Sequence, residues 1–321
     1  IGNAWMGTGL AYTEYGGLAY FNKEDTTVTA YTDFIDSPWF GCYFIYDIEI
    51  DRLGRIWMLQ EGSSGGVYFE SDSFYHAENY ASHGIAYKQY QDPKGGMWIG
   101  CDGGFQYSDA SYSSWSIIDS FSTDQGEVSS ALGRSIMRLD DTTIVFGSGN
   151  GTFMFNTNNG NAQRIVIIDS TWDDDIVVYN TLFNACGKNW FGDDNGYLYV
   201  YSISDSSWGI FSNLIPPNPY PDIHVYDIVQ DQKGVVYIAT ISMGLITYSE
   251  TEGYKQINIY NDSLPSDVVY DIEVDEFNNK WLGTGWGLLF IMKTEFVSKP
   301  NWPIRLPIFI LMCFQIRFHH Q

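Results

Sequence analysis

The feature that most constrains this chain is an aromatic residue that returns at a nearly constant interval along the sequence. Successive copies are 41 to 52 residues apart. The positions are Trp5, Trp57, Trp98, Phe146, Trp190, Tyr237 and Trp281. This period is typical of a unit of four antiparallel strands that cannot bury its faces alone and therefore stacks on further copies of itself.

A turn signature precedes most copies of this aromatic residue. Six residues earlier stands an Asp or Asn, at Asp51, Asp92, Asp140, Asn184, Asp231 and Asp275. Three residues earlier stand Gly54, Gly95, Thr143, Gly187, Gly234 and Asn278. An Asx side chain accepts hydrogen bonds from backbone amides across a turn, and Gly or Asn tolerates positive φ. The repeat therefore predicts a tight hairpin and gives these Asp residues a structural role.

A second glycine follows each aromatic strand and predicts a second hairpin. These glycines are Gly17, Gly66, Gly104, Gly151, Gly196, Gly244 and Gly287. Seven copies of this pattern predict an all-β fold, a seven-bladed β-propeller of four-stranded antiparallel blades over residues 1–298. The first blade is expected to be incomplete at its N-terminal side, because its first strand and Asx turn would precede residue 1. The alternative is an unrelated β-sandwich whose spacing is coincidental.

The composition agrees with strands and excludes some functions. The chain contains 24 Tyr, 20 Phe and 11 Trp, and aromatic residues favour strands. Its net charge of −23 repels nucleic acid phosphates and anionic lipid headgroups, so we expect no nucleic-acid partner. The cysteines form no CxxC pair, which argues against a zinc site or a redox motif, and we expect free or buried thiols. They are Cys42, Cys101, Cys186 and Cys313.

The C-terminal tail, residues 299–321, differs from the rest of the chain. It contains three cations and no acid, so that residues 1–298 alone carry a charge of −26. Its apolar run 306–314 is too short to span a bilayer as a helix, which needs about 20 residues. Three interpretations stay open: a closing strand of the propeller, a non-native terminus, or a membrane-proximal or sorting segment.

One stretch carries a family resemblance. Residues 260–287, YNDSLPSDVVYDIEVDEFNNKWLGTGWG, closely resemble the repeat of the bacterial two-component-regulator propellers. Residues 41–69 and 221–248 match well, 84–107 and 178–201 match less fully, and 135–156 keep only the spacing. The resemblance covers nearly all of residues 1–298. Its motif specifies the fold well and the function poorly.

The resemblance implies a sensor module that recognises a glycan or a similar ligand. Such modules are periplasmic or secreted, and they are commonly fused to signalling domains, which this chain does not contain. The sequence begins with neither Met nor a signal peptide, so we expect it to start inside a longer protein. A protein-interaction scaffold is the first alternative. An enzyme similar to streptogramin lyases or polysaccharide lyases is the second.

The candidate ligand-binding residues lie at the innermost strands, near one mouth of the central channel. Three of these strands carry a Tyr-Asp pair, and alternate side chains of a strand point towards the channel. Aromatic rings beside carboxylates suit stacking on sugars and hydrogen bonding to their hydroxyls. Packing between blades is the alternative role for these pairs, and ordinary loop residues are the alternative for the two histidines. The candidates are Tyr46, Asp47, Tyr226, Asp227, Tyr270, Asp271, His83 and His224.

The sequence gives no catalytic motif. Neither a Gly-x-Ser-x-Gly elbow nor a phosphate-binding loop occurs, so we expect no catalytic residue and no required cofactor. His83 or His224, with a divalent metal, would have to act if the chain were a lyase. Acidic segments at 172–175 and 193–196 are candidate calcium ligands, but neither fits an EF-hand loop, and the second is also an ordinary turn.

Overall fold

The structure is a computed structural model that describes about two thirds of the chain. Within the described residues the secondary structure is entirely β, as the sequence predicts, and no helix there is long and apolar enough to cross a membrane. The described residues are 3–8, 17–22, 24–25, 27–31, 45–60, 66–77, 80, 84–123, 126–129, 133–148, 151–165, 180–185, 188–192, 198–202, 205, 207–210, 224–260, 264–291 and 313–318.

The described strands fall into two compact units, one from residues 1–32 and 182–321 and the other from residues 33–181. Four sheets belong to the first unit. Its strands are β1 (Ala4–Thr8), β2 (Gly17–Asn22), β3 (Thr27–Tyr31), β18 (Asn180–Ala185), β19 (Lys188–Gly192), β20 (Leu198–Ser202), β21 (Ser207–Ile210), β22 (Val225–Gln230), β23 (Val236–Thr240), β24 (Leu245–Ser249), β25 (Gly253–Ile257), β26 (Val269–Val274), β27 (Lys280–Thr284), β28 (Gly287–Ile291) and β29 (Cys313–Phe318). The sheet orders are β29-β1-β2-β3, β18-β19-β20-β21, β22-β23-β24-β25 and β26-β27-β28.

The second unit contains three sheets. Its strands are β4 (Ile45–Ile50), β5 (Ile56–Gln60), β6 (Val67–Glu70), β7 (Ser73–His76), β8 (Ala86–Gln91), β9 (Met97–Cys101), β10 (Gly104–Ser108), β11 (Ser116–Ile118), β12 (Ser120–Thr123), β13 (Gly126–Ser129), β14 (Gly133–Arg138), β15 (Thr143–Ser148), β16 (Gly151–Asn156) and β17 (Ala162–Ile165). The sheet orders are β4-β5-β6-β7, β11-β10-β9-β8 and β13-β12-β17-β16-β15-β14.

Six of these sheets have the three or four consecutive antiparallel strands of a propeller blade, so the all-β propeller prediction is confirmed. The prediction of seven four-stranded blades is not met in the described residues. The sheet of β26, β27 and β28 has three strands there. The sheet of β12 to β17 has six, because the hairpin of β12 and β13 joins it through a parallel bridge between Thr123 and Ala162.

The first blade is completed from the predicted C-terminal tail. Strand β29 pairs antiparallel with β1, and the side chain of Ile316 is fully buried. The blade therefore has four strands although its first strand in space is the last in sequence. Strand β29 lies within the tail of residues 299–321, for which a closing strand is one of the three interpretations, and the predicted boundary at residue 298 stays a prediction. The rest of the tail lies outside the described residues.

The repeating aromatic residue is the centre of each blade's core. All seven copies are buried, and Trp57 and Phe146 are fully enclosed. Phe146 stacks on Phe105 of the preceding blade with ring centroids 3.8 Å apart and 14° between planes. The ring of Trp98 lies 5.8 Å from Phe146. The spacing of the aromatic residues in the sequence thus equals the length of one blade, and each blade places one of these rings in the core that it shares with its neighbours.

The Asx turns have the predicted structure, and their carboxylates also accept hydrogen bonds from the core tryptophans. The carboxylate of Asp51 accepts hydrogen bonds from the amides of Leu53 and Arg55 at 2.9 and 3.0 Å, and from Trp57 Nε1 at 2.8 Å. Asp275 accepts one from Trp281 Nε1 at 3.2 Å in the same way. The turn ends in positive φ, as predicted, at Gly54, Gly95, Gly234 and Asn278. One side chain therefore fixes both the hairpin and the ring six residues later.

Candidate functional site

In six of the seven described sheets, the strand that opens the blade contains a β-bulge near its beginning. In β4, for example, pairing with β5 skips Tyr46, which is the extra residue between Ile45 and Asp47. A bulge leaves its extra residue outside the ladder and redirects the side chain. The register shifts place the same irregularity at Tyr46, Tyr87, Arg134, Tyr226, Tyr270 and Phe314.

Most of these bulge residues are aromatic, and those whose side chains are described are half-buried. Five of the six are aromatic and the sixth is an arginine. The side chains described are half-buried, whereas Ile45 and Asp47, on either side of Tyr46, are buried. Within each unit, the first strands of consecutive blades adjoin one another, with β8 next to β4 and β14, and β26 next to β22 and β29. Each unit therefore brings partly exposed rings together at the edge formed by its first strands.

In the unit of residues 33–181, the bulge residues form a cluster around Tyr87. The ring of Tyr46 lies 6.2 Å from that of Tyr87, and the guanidinium carbon of Arg134 lies 3.7 Å above it. The Tyr87 hydroxyl donates a hydrogen bond to Asp102 Oδ1 at 2.5 Å, and Asp102 Oδ2 accepts one from the amide of Ile85 at 3.1 Å. The cluster thus combines two rings tilted at 49° to one another, a cation and an anchored carboxylate.

The protonation state of Tyr87 follows from this environment. Burial, reinforced by the hydrogen bond to Asp102, raises the pKa of Tyr87 to about 12. The phenol is therefore neutral at physiological pH. In this form it can donate a hydrogen bond and offer its ring as a stacking surface.

In the other unit, three aromatic side chains follow one another along adjacent first strands. The rings of Tyr226 and Tyr270 meet edge to face at 5.6 Å and 74°. His224 lies 6.5 Å from Tyr226 at 86°, and its carbonyl accepts a hydrogen bond from the amide of Ile241 at 3.1 Å. Burial raises the pKa of Tyr270. This row is aromatic like the Tyr87 cluster but has no cation among its members.

The three predicted ligand-binding aspartates make hydrogen bonds between blades. Asp47 and Asp271 are buried, and each carboxylate accepts a hydrogen bond from a backbone amide on the first strand of the next blade. The pairs are Gln89 N to Asp47 Oδ2 at 2.8 Å, Ile272 N to Asp227 Oδ2 at 3.1 Å, and Ile316 N to Asp271 Oδ2 at 2.6 Å. Buried carboxylates are stabilised by such partners. These contacts agree with the inter-blade packing alternative for the aspartates, and ligand binding by them stays a prediction.

The tyrosines of the predicted pairs remain candidates, and the cluster includes residues that the sequence interpretation missed. Tyr87, Arg134 and Asp102 were not among the candidates. Tyr87 and Lys88 occupy the positions that Tyr46 and Asp47 occupy one blade earlier. Because a lysine stands in place of the aspartate, a search for Tyr-Asp pairs does not find Tyr87. Lys88 Nζ instead reaches Asp47 Oδ1 at 2.9 Å.

Several other candidate residues lie where the structure does not describe the chain. His83 and the acidic segments 172–175 and 193–196 lie outside the described residues. Among the side chains that the structure describes, no group of three or more His, Cys, Asp or Glu is arranged to hold a metal ion. Cys101 is a buried free thiol, which agrees with the expectation for the cysteines.

Comparison with known proteins extends the description of the fold. No family model and no curated protein matches this sequence. The extracellular domain of the one-component system protein BT4673 from B. thetaiotaomicron is similar, with a TM-score of 0.68 at 17% identity over 90% of this chain and 38% of that one. PorZ, a surface component of the type-IX secretion system of Porphyromonas gingivalis, gives 0.65 at 17% over 91% and 45%. A streptogramin B lyase gives 0.62 at 10% over 88% and 91%.

These similarities concern the fold. The chain spans 38% and 45% of the lengths of the first two proteins, so each of them contains much that this chain lacks. The three proteins have different roles on similar propellers, and a fold does not determine a function. At these identities the conclusion is that the chain has the β-propeller fold.

Proposed function

We propose that this chain is the ligand-recognition module of a sensor protein of the two-component-regulator type, located in the periplasm or outside the cell, and that its ligand is a glycan. The observation that carries the proposal is the recurrence of Tyr at the bulges of four first strands, with Arg134 at the bulge of a fifth. Half-buried rings supply stacking surface at small entropic cost, and the phenol of Tyr87 and the guanidinium of Arg134 supply hydrogen-bond donors.

The seven-blade count belongs to the same proposal. Strands β14 to β17 follow one another in antiparallel order like the strands of the other blades, and β14 adjoins β8. Phe146 occupies the core position that Trp98 occupies one blade earlier. The six-stranded sheet is then a blade of the ordinary kind, and the hairpin of β12 and β13 is an addition at its outer edge.

The location and the wider protein are argued from similarity. The extracellular domain of BT4673 resembles this chain in fold, and the repeat of residues 260–287 resembles that of two-component-regulator propellers. A module of this kind passes ligand occupancy to signalling domains elsewhere in the protein. The partners are therefore a glycan and, within a longer polypeptide, the domains that respond to it.

The test is binding of the whole 321-residue chain to a panel of immobilised glycans, followed by calorimetry on each hit. Two variants remove the candidate rings, Tyr46→Ala with Tyr87→Ala in one unit and Tyr226→Ala with Tyr270→Ala in the other. Tyr75→Ala is the matched control, because Tyr75 lies on the outer strand β7 and is 43% exposed.

The proposal expects at least one glycan to bind, and one of the two ring variants to weaken that binding at least tenfold. The Tyr75 variant should bind like the original chain. Absence of binding to every glycan, with the folded state verified by circular dichroism, would overturn the proposal. Binding that neither ring variant alters would also overturn it, because the site would then lie elsewhere.

A further inference from the structure

A highly exposed tryptophan lies at the tip of the hairpin between β27 and β28. Trp286 is 73% exposed, and its amide donates a hydrogen bond to Thr284 Oγ1 at 3.2 Å. The turn does not need this side chain, because the equivalent place in the hairpin of β9 and β10 is occupied by Gly103. A large ring that neither packs nor shapes its turn is available to a ligand.

A second exposed ring lies in the loop that leads into β26. Tyr260 is 86% exposed. Its loop is held at several points: Asp267 Oδ1 accepts a hydrogen bond from the amide of Ile259 at 2.8 Å, and the carbonyl of Asp267 accepts one from the amide of Gly244 at 2.9 Å. The ring is thus presented from an anchored segment.

The two exposed rings lie at the same end of the strands as the row of His224, Tyr226 and Tyr270. Strand β26 begins at Val269, which pairs with Thr284 next to the hairpin tip. The carbonyl of Val268 accepts a hydrogen bond from the amide of Gly285 at 3.0 Å, which ties the loop to that hairpin. This end of the unit therefore carries rings from the first strands to the outer loop.

The charge at this end favours an uncharged ligand. Residues 258–271 contain Asp262 and Asp267 besides the buried Asp271, and no Lys or Arg. Residues 284–287 contain no charged residue, and the half-buried Asp227 lies next to Tyr226. The chain as a whole carries −23. A negative surface opposes the approach of carboxylated or sulfated sugars. The Tyr87 cluster differs, because Arg134 and Lys88 are present there.

We propose that this end binds an uncharged oligosaccharide, which extends from Tyr226 and Tyr270 outwards to Trp286 and Tyr260. The inference rests on the proposed glycan-binding function and specifies its ligand. Sugar rings stack on separated aromatic faces, while Asn258 and Asp267 between them offer groups that suit hydroxyls. A protein partner would instead require a continuous apolar patch, which these polar residues interrupt.

The test measures binding of neutral gluco-, xylo- and manno-oligosaccharides from disaccharide to hexasaccharide, together with oligogalacturonates of equal length. Trp286→Ala and Tyr260→Ala should each weaken hexasaccharide binding about tenfold and leave disaccharide binding almost unchanged. Phe277→Ala is the control, because Phe277 is 44% exposed on the Asx turn before β27. Hexasaccharides should bind more tightly than disaccharides, and oligogalacturonates should bind weakly.

The outcomes separate this inference from the proposed function. Hexasaccharide binding that requires Tyr226 and Tyr270 but not Trp286 or Tyr260 would overturn the extended site and leave the glycan-binding function standing. Preference for oligogalacturonates would overturn the uncharged class alone. Absence of binding to any glycan would overturn both. Capture of a protein that depends on Trp286, without glycan binding, would likewise assign the rings to a protein partner and overturn both.

Discussion

The carboxylate of Asp271 accepts a hydrogen bond from the backbone amide of Ile316 at 2.6 Å, across 45 residues of sequence. Asp227 makes the equivalent contact to Ile272, also 45 residues on, and Asp47 makes it to Gln89. One carboxylate thus joins the first strand of a blade to the first strand of the next. At Ile316 the joint holds the strand that completes the first blade.

Replacement of Asp271 should therefore destabilise the protein through the attachment of β29. Asp271→Ala leaves the amide of Ile316 without its acceptor in a buried site, so we expect a loss of about 2 kcal/mol in the free energy of unfolding. Asp271→Asn keeps an acceptor oxygen and should lose less. Urea unfolding of both variants measures the difference, and protection of the Ile316 amide from hydrogen exchange should fall in Asp271→Ala. Unchanged protection would contradict the role assigned to this contact.

A pair of glycines allows backbone strain to be separated from steric overlap. Gly244 and Gly160 have nearly the same positive φ, 76° and 74°. A Cβ atom at Gly244 would lie 2.3 Å from the carbonyl oxygen of Ile257, whereas at Gly160 nothing lies within 4 Å. Gly160→Ala should cost about 1 kcal/mol of strain alone. Gly244→Ala should cost about 3 kcal/mol, because the hairpin must also move.

Chemical denaturation of the two glycine variants measures these costs directly. The difference between them is the steric contribution, since the change in φ preference is common to both. Equal costs would mean that the strand of Ile257 moves away without resistance. That result would contradict the close approach of the hairpin and the outer strand.

The repeat was enough to predict a propeller, because each blade's hairpins and core ring are encoded locally. Asp51, Gly54 and Trp57 lie within a segment of seven residues. Their spacing therefore predicts that the Asp51 carboxylate accepts hydrogen bonds from the amides of the turn and from the indole of Trp57. The completion of the first blade by β29, in contrast, could not be predicted from a local pattern. It depends on pairing between residues about 310 positions apart, such as Ala4 and Phe318, which no local pattern records.

The sequence did not indicate the exposure of the candidate site residues, for a reason visible in the bulges. In a regular strand, successive side chains point to opposite faces of the sheet. A bulge shifts this alternation by one residue, so Tyr46 and Asp47 do not lie on the faces that a regular strand would give them. The aspartates therefore turn to the next blade, and the tyrosines become the partly exposed members. Arg134 carries no pattern of its own, and only the stacking on Tyr87 places it in the cluster.

A buried ion pair between blades should make stability depend on acidic pH. Lys280 Nζ lies 2.9 Å from Asp231 Oδ2, with both side chains almost fully buried. Burial alone would raise the pKa of Asp231, but the hydrogen bond from Lys280 and those from the amides of Lys233 and Val235 outweigh it and lower the pKa below 3.8. The stabilisation is therefore present above the unfolded pKa and is lost as pH falls through the folded pKa.

Lys280→Met tests this ion pair, because it leaves the Asp231 carboxylate buried with fewer partners. We expect a loss of about 3 kcal/mol at neutral pH, and a smaller further loss on acidification than in the original chain. Unfolding by urea between neutral pH and about pH 3 provides the measurement. Lys255→Met is the control, because Lys255 pairs with Glu252 on the exposed surface and should contribute little. Equal effects of the two substitutions would contradict the buried role.

The pKa of the Tyr87 phenol should be raised, and part of that increase should depend on the contact with Asp102. Burial and the hydrogen bond to Asp102 favour the neutral form and raise the pKa of Tyr87 above its ordinary value, to about 12. The associated stabilisation is fully present below the unfolded pKa and is lost as pH rises through the folded one. In Asp102→Asn the pKa should fall towards 10, since the charged acceptor is gone. The measurement is NMR titration of ring-labelled tyrosine, with Tyr87→Phe to assign the resonance. A Tyr87 pKa that Asp102→Asn leaves unchanged would contradict the hydrogen bond that anchors this cluster.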